Sequence, residues 1–153
     1  MLPMSAQGST DPHIELFRSV VALGMRMRAA MDRRLAEVGL TTQQAAVLTI
    51  AEGFGEAPTL GDVSRILGTS HQNTRQIADA LVRKGLLEIR VDTRDRRVRR
   101  LVPTDAVAVV FGERDASDRE AVRRWTRALS DADARRAASL LARVLRDVDA
   151  FEA

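Results

Sequence analysis

The segment from Thr59 to Gly85 constrains the fold most, because it predicts two short helices joined by a tight turn. In the first helix, LGDVSRIL, Thr59 stands at the N-cap and Asp62 follows three residues later, where a capping box places an acidic or amide side chain. Gly68 ends this helix. Ser70 caps the next one, HQNTRQIADALVRK, and Gly85 stops it.

A basic hairpin is predicted directly after these helices. The stretch IRVDTRDRRVRRLV, from Ile89 to Val102, alternates hydrophobic and polar residues as a two-stranded hairpin does, and it contains six arginines. Two short helices with a glycine turn between them, followed by such a hairpin, predict a winged helix-turn-helix.

Longer helices are predicted on both sides of this lobe. Asp11 starts a long amphipathic helix that ends at Gly39, and Thr42 starts a short one. Two further helices start at Thr104 and at Ser130. The first and the last two helices carry more apolar surface than a small three-helix module needs, so we expect a second copy of the chain to cover part of it.

The expected fold class is mainly α with a small β-hairpin wing, a winged helix-turn-helix with N- and C-terminal dimerisation helices. Residues 1–10 are small, polar and without period, and we expect a disordered segment there. Residues 11–153 would form a single domain, with the winged lobe at about 40–104 and the dimerisation helices at about 11–38 and 104–151.

Composition favours a globular protein of the cell interior. Hydrophobic residues make up 45% and charged residues 29% of the 153, and cysteine is absent, which excludes a disulfide scaffold and a disordered polymer. We find no membrane-crossing apolar run and no secretory signal pattern, so we expect a cytoplasmic protein with no membrane partner. The net charge of +3 is modest, but positive charge is concentrated between Arg75 and Arg100.

The sequence offers little for catalysis or for a cofactor. Its two histidines, His13 and His71, cannot form a metal cluster or a histidine-based nucleophilic dyad within one chain. Gly53 and Gly55 lack the lysine and the strand context of a phosphate-binding loop. We therefore expect no catalytic residues, no metal site, no cofactor and no enzyme activity.

Four segments of the chain carry a family resemblance, namely LTTQQAAVL (Leu40 to Leu48), TLGDVSRILGTS (Thr59 to Ser70), IADALVRKGLLEI (Ile77 to Ile89) and DTRDRRVRRLVPT (Asp92 to Thr104). They resemble the MarR family of bacterial transcriptional regulators. The most specific motif is the Asp-x-Arg of the wing, here Asp95 and Arg97, after a Gly-Leu that leaves the second helix. The resemblance implies a homodimer that binds double-stranded DNA at a pseudo-palindromic operator and acts as a ligand-responsive repressor.

The chain departs from the family pattern in the helix that would read DNA. Many members have Val-Thr-Arg where this chain has Thr74, Arg75 and Gln76, and Ser64 replaces a usual alanine in the helix before it. We therefore do not expect the operator sequences of relatives to predict the operator of this chain.

The second helix of the pair presents amides and a guanidinium near its N-terminal end. A 3.6-residue period buries one stripe, formed by Thr74, Ile77, Ala78 and Leu81. It turns outward Gln72, Gln76, Asp79 and Arg83, with Asn73 and Arg75 on the flanks. Amides can bond adenine and arginine can bond guanine in the major groove. The predicted DNA contacts are Ser70, His71, Gln72, Asn73, Arg75 and Gln76, and a merely solvated polar face is the alternative.

Five arginines lie close together in the wing, namely Arg94, Arg96, Arg97, Arg99 and Arg100. Clustered like charges repel one another, and a nearby polyanion or acidic partner offsets this repulsion. DNA is the simplest such partner. In this interpretation Arg97 enters the minor groove, Asp95 braces it, and phosphates lie near Arg94, Arg96 and Arg99. Arginines that only keep a sheet edge soluble would explain one or two of the five.

Control by a small aromatic or anionic effector is a further expectation. Relatives commonly release DNA when such a molecule binds between the winged lobe and the dimer helices, or when a cysteine is oxidised, and this chain has no cysteine. The candidate effector pocket is Met25, Met27, Met31 and Trp125, since methionines and a tryptophan can line a soft apolar pocket. Ordinary core and dimer packing is the other explanation.

A second function stays open at this stage. A winged fold can use a basic wing to bind an acidic protein, which would make the chain a protein–protein interaction module. Salt-sensitive binding to specific DNA separates the two functions, because an interaction module would bind no DNA even at low salt.

Overall fold

The computed structural model describes residues 11–151. Its helices are α1 (Pro12–Leu35), α2 (Thr42–Gly53), α3 (Leu60–Leu67), α4 (His71–Arg83), α5 (Asp105–Trp125) and α6 (Asp131–Phe151), and its strands are β1 (Leu87–Val91) and β2 (Arg99–Pro103). The expected fold, mainly α with a β-hairpin wing, is confirmed. The predicted disordered segment, residues 1–10, lies outside the described residues.

The chain divides into two compact units after Ala108. The first unit contains α1 to α4 and the hairpin, and α5 begins in it. The second unit contains the rest of α5 together with α6, which has no buried residue among those described. Between residues 11 and 151, no helix is both long enough and apolar enough to span a membrane.

Side-chain caps fix the helix ends where the sequence predicts them. Asp11 accepts a hydrogen bond of 2.8 Å from a backbone N–H in the first turn of α1. Thr59 and Asp62 form the predicted capping box, in which each side chain accepts a hydrogen bond from the backbone N–H of the other. Ser70 Oγ accepts from the N–H of Asn73 at the start of α4. These caps satisfy N–H groups that a helix leaves unpaired.

Glycine ends α3 and α4 in the left-handed conformation. Gly68 has φ +59° and Gly85 has φ +72°, backbone angles that strain a residue with a Cβ. The two turns therefore set where α4 starts and where the chain leaves it for the wing.

The core of the first unit lies where α2, α3 and α4 meet the hairpin. Its almost fully buried side chains include Val47, Leu48, Val63, Leu81, Leu87 and Leu101. The predicted buried stripe of α4 is confirmed, since its four buried residues are Thr74, Ile77, Ala78 and Leu81. The opposite face of α4 is left for solvent or a partner.

The wing is fixed to the helices at its base. Strands β1 and β2 pair antiparallel, with Leu87 opposite Pro103 and Val91 opposite Arg99. On the other edge of β2, the N–H of Leu101 donates to the carbonyl of Pro58 at 2.9 Å. After β2, Thr104 donates from its N–H to Leu86 and from its hydroxyl to Gly85, at 3.1 and 2.7 Å. The start of α3 and the end of α4 thus both hold the hairpin.

Two buried hydroxyls link α3 to α4. Ser64 Oγ lies 2.9 Å from Thr74 Oγ1 and 2.7 Å from the carbonyl oxygen of Leu60. Thr74 Oγ1 lies 3.2 Å from the carbonyl oxygen of Ser70. Each hydroxyl therefore has a backbone acceptor as well as its partner, so that this polar pair in the core is satisfied.

We expect Ser64→Ala to lower the free energy of unfolding by about 1 kcal/mol, the net value of a typical hydrogen bond. Adding Thr74→Val should lower it little further, because that change replaces the second hydroxyl with a methyl of similar shape and leaves no unpaired group. Urea denaturation of the two single variants and the double variant measures both effects. Fully additive losses would show that the hydroxyls act independently.

Candidate nucleic-acid interface

The outward face of α4 presents the polar side chains that the sequence predicts for it. The exposed ones are Ser70, His71, Gln72, Arg75 and Gln76, and Asn73 is half-buried. The side chains of Gln72 and Gln76 make no hydrogen bond with the residues that the structure describes. Their donors and acceptors are therefore available to an outside partner.

Two predicted contact residues also hold the first turn of α4 in place. Asn73 Nδ2 donates to Thr69 Oγ1 at 2.9 Å. The imidazole of His71 lies over Gly61 of α3, where a Cβ would come within 3.2 Å of Nε2. The end of α4 that carries the amides is thus supported by the neighbouring turn and helix.

The six arginines of the wing separate into two groups. Arg90 pairs with Glu88, and Arg100 pairs with Asp92 and Glu56. The other four, which we call the tip arginines, form no ion pair with any carboxylate in residues 11–151; they are Arg94, Arg96, Arg97 and Arg99. All four are exposed, so the tip of the wing carries positive charge that the described residues do not neutralise.

Arg100 has a different role from the one that its place in the basic run indicates. Its guanidinium donates to the carboxylate of Asp92 and, at 2.8 Å, to the carbonyl oxygen of Ala57. Its side chain is 24% exposed, against 6% for that of Asp92. The pair of Asp92 and Arg100 therefore fastens the wing to the segment that precedes α3.

Asp92 is the internal anchor of the wing, and the sequence analysis missed it. Besides its bond with Arg100, its carboxylate accepts the N–H groups of Arg94 and Asp95 at 2.7 and 2.9 Å. These bonds lower the pKa of Asp92 to about 2, because they favour the ionised form, and the bond with Arg100 has the largest effect. An aspartate directly before a polar turn was the available signal, since its side chain often accepts backbone N–H groups two residues on.

Asp95 shapes the wing tip through the main chain. Its carboxylate accepts the N–H of Arg97 at 2.9 Å, and its carbonyl accepts the N–H of Val98 at 3.0 Å. Arg99 Nη1 donates to the carbonyl of Arg96 at 2.7 Å and closes the same turn. The guanidinium of Arg97 has no acceptor among the described residues and is free to extend from the tip.

The four residues of the candidate effector pocket lie on helices of different units. Met25, Met27 and Met31 are on α1, where Met25 is 65% exposed and the other two are half-buried. Trp125 is the last residue of α5 and is half-buried. The pocket itself stays a prediction.

In the described part of the chain, no group of three or more His, Asp or Glu side chains could hold a metal ion.

We expect Asp92→Asn to loosen the wing. In the folded protein the pKa of Asp92 is lowered to about 2, so this carboxylate stabilises the fold above its usual pKa of 3.8, and that contribution is lost as the pH falls towards 2. Urea midpoints between pH 6 and pH 2 should therefore fall more for the wild type than for the variant. Equal pH dependence of the two proteins would contradict the anchoring role.

Comparison with known proteins gives a family match over part of the chain and a shared fold. Residues 38–98 match the model of the MarR family. A search of curated proteins found no match.

Three solved structures of low sequence identity share the fold over almost their whole length. A MarR protein from Peptoclostridium difficile is 19% identical, with 96% of this chain and 95% of that chain covered and a TM-score of 0.82. The MepR–DNA complex of S. aureus is 19% identical, with 90% of this chain and 98% of that chain covered and a TM-score of 0.74. CouR of Rhodococcus jostii RHA1, bound to p-coumaroyl-CoA, is 20% identical, with 94% of this chain and 96% of that chain covered and a TM-score of 0.74.

The match falls on the segment that contains α2, α3, α4 and most of the wing. The structural likeness extends the shared architecture to the flanking helices. Residues 38–98 of this chain are thus similar to the MarR family, and solved structures that include a MarR protein share its fold along nearly its full length.

Proposed function

We propose that this protein is a homodimeric repressor that binds a specific, pseudo-palindromic operator. Two observations within the first unit carry the proposal: the tip arginines have no described carboxylate partner, and the outward face of α4 carries unpaired amides. Positive charge suits a phosphate backbone, and amides suit the edges of bases. The fold is shared with MepR, whose structure was solved as a DNA complex.

The two parts of this surface do different work in the proposal. Helix α4 enters the major groove, where the amides of Gln72 and Gln76 bond adenine in pairs. Arg97 extends from the wing into the adjacent minor groove, while the other tip arginines lie near phosphates. The helix therefore supplies sequence specificity, and the wing supplies most of the affinity that does not depend on sequence.

Exposed apolar side chains support the homodimer. On α1, those of Ile14, Phe17 and Val20 are 41 to 66% exposed. On α6, the exposed stripe comprises Leu140, Leu141, Val144, Leu145, Val148 and Phe151. Apolar surface of this extent on a chain marks an interaction site, and a second copy is the partner that gives two equivalent DNA-binding lobes.

The remaining parts of the proposal concern control and location. CouR was solved bound to p-coumaroyl-CoA, and this supports an aromatic or anionic effector here. We propose no catalytic activity and no cofactor. A repressor acts where the DNA is, and we propose the cytoplasm.

The first prediction of this proposal concerns the wing. We expect the purified protein to retard DNA from the region upstream of its own coding sequence, and Arg97→Ala to weaken binding to all sequences and to reduce the salt slope by about 1. Arg90→Ala is the matched control, because Arg90 lies in the same hairpin but pairs with Glu88. Gln72→Ala should instead cost about 1–3 kcal/mol, chiefly on the specific sequence.

Two results would contradict the wing's role. Equal affinities and salt slopes for Arg97→Ala and the wild type would exclude a groove contact by Arg97. The lack of any DNA binding at low salt would favour the alternative, an interaction module for an acidic protein.

The second prediction concerns the dimer. Light scattering at micromolar concentration should give twice the chain mass, and Leu141→Arg with Val148→Arg should give the monomer, since two charges cannot be buried in an apolar interface. The monomer should also bind the operator more weakly, because only a dimer places two lobes about 34 Å apart. Arg146→Ala, on the opposite face of α6, is the control. A wild-type monomer would refute the proposal.

The third prediction concerns the effector. We expect small aromatic acids to quench the fluorescence of Trp125, the single tryptophan, and to weaken operator binding over the same concentration range. The two effects belong together because a ligand lowers DNA affinity only by favouring a form that fits the operator less well. A broad panel of such acids that produced neither effect would indicate control by protein abundance or by another partner.

A further inference from the structure

We propose that Asp79 is a specificity-determining positioning residue, which orients Arg75 for contact with a guanine in the operator. This inference rests on the proposed function and goes beyond it, because it names a base and the side chain that makes the arginine selective for it. It follows from the geometry of one ion pair on α4.

Asp79 lies on the outward face of α4, and Arg75 lies one turn before it on the flank of that face. Arg75 Nε donates to both carboxylate oxygens of Asp79, at 3.0 and 3.1 Å. The side chains are 55% and 40% exposed, so the pair lies at the surface that the proposal places in the major groove. Neither Nη1 nor Nη2 of Arg75 makes a hydrogen bond within residues 11–151.

This arrangement leaves one edge of the guanidinium ready for a base. A guanidinium has five N–H donors in a rigid plane, and here the carboxylate engages the donor at Nε. The free edge, formed by Nη1 and Nη2, carries two parallel donors with the spacing that matches O6 and N7 of guanine. A held arginine also loses less conformational freedom on binding than one that moves freely in solvent.

A carboxylate on this face needs an explanation, because DNA phosphates repel it. An exposed ion pair within a helix adds little stability, so stability alone does not account for Asp79. Orientation of Arg75 accounts for a carboxylate at this position.

The competing explanation is an ordinary surface ion pair with no part in base recognition. Both explanations allow Asp79→Ala to raise the affinity for DNA in general, since the change removes a negative charge near phosphates. They differ in discrimination between bases. Only an orienting role makes the variant less selective for guanine while its fold stays intact.

The experiment starts by selecting duplexes from a pool with randomised base pairs, using the wild-type protein. We expect a G·C pair to be enriched at one position of each half-site and this preference to be lost with Arg75→Ala. Anisotropy titrations then compare the selected duplex with one in which that pair is A·T. The affinity ratio should be about 5- to 150-fold for the wild type, as for a bidentate arginine–guanine contact.

Asp79→Ala should lower this ratio by about twofold or more, the lower limit for coupling between residues in contact. In the Arg75→Ala background the same change should leave the ratio unaltered, which closes a double-mutant cycle. Glu88→Gln is the matched control, because it removes the carboxylate of another exposed arginine pair in the same unit and should leave the ratio unchanged. Far-ultraviolet circular dichroism checks that each variant keeps its helices.

The outcomes separate the two proposals. If Asp79→Ala changes the affinities for both duplexes by the same factor, or if no selected guanine depends on Arg75, the inference is overturned and the proposed function stands. If the wild-type protein enriches no sequence from the pool, the proposed function fails.

Discussion

The ion pair between Asp92 and Arg100 fixes the wing to the lobe, and the arrangement of the candidate interface depends on it. Asp92 organises the turn by accepting two backbone N–H groups, and Arg100 reaches the carbonyl of Ala57, just before α3. The position of the tip arginines relative to α4 is therefore set by the protein before any partner binds. The wing need not be ordered on binding, so less of the binding free energy is lost.

Polar contacts also connect α1 to α2, and α2 to the end of α4, within the first unit. The carboxylate of Asp32 accepts the N–H of Thr42 at 2.6 Å, and this bond is the main cause that lowers the pKa of Asp32. At the end of α4, Lys84 Nζ donates to the carbonyl of Gly39 and, at 2.9 Å, to Gln44 Oε1. A displacement of α1 would thus act on the N-terminal end of α2 and on the end of α4, which would give the proposed effector, bound at α1, a route to the proposed DNA-binding face.

Local interactions were predictable from the sequence, and contacts between distant residues were not. Caps such as Thr59 with Asp62, the glycine turns and the buried stripe of α4 each depend on residues within a few positions, and all are present in the structure. Arg100 shows the limit, because its partner Ala57 is 43 residues away and no periodicity reveals the contact. The pair of Arg75 and Asp79 has the i, i+4 spacing of a helical ion pair, but the sequence analysis placed Asp79 on the outward face and Arg75 on its flank without pairing them. The effector pocket of Met25, Met27, Met31 and Trp125 stays a prediction, because local patterns do not specify which distant side chains meet.

Methylation protection of the bound operator tests most directly whether α4 occupies the major groove and the wing the adjacent minor groove. Dimethyl sulfate modifies guanine N7 in the major groove and adenine N3 in the minor groove, so one reagent reports on both. We predict two groups of protected N7 atoms about one helical turn apart, each flanked by protected adenine N3 atoms that become reactive with Arg97→Ala. Bound DNA in which guanine N7 stays fully reactive throughout the site, or in which Arg97→Ala leaves N3 protection unchanged, would contradict this mode of binding.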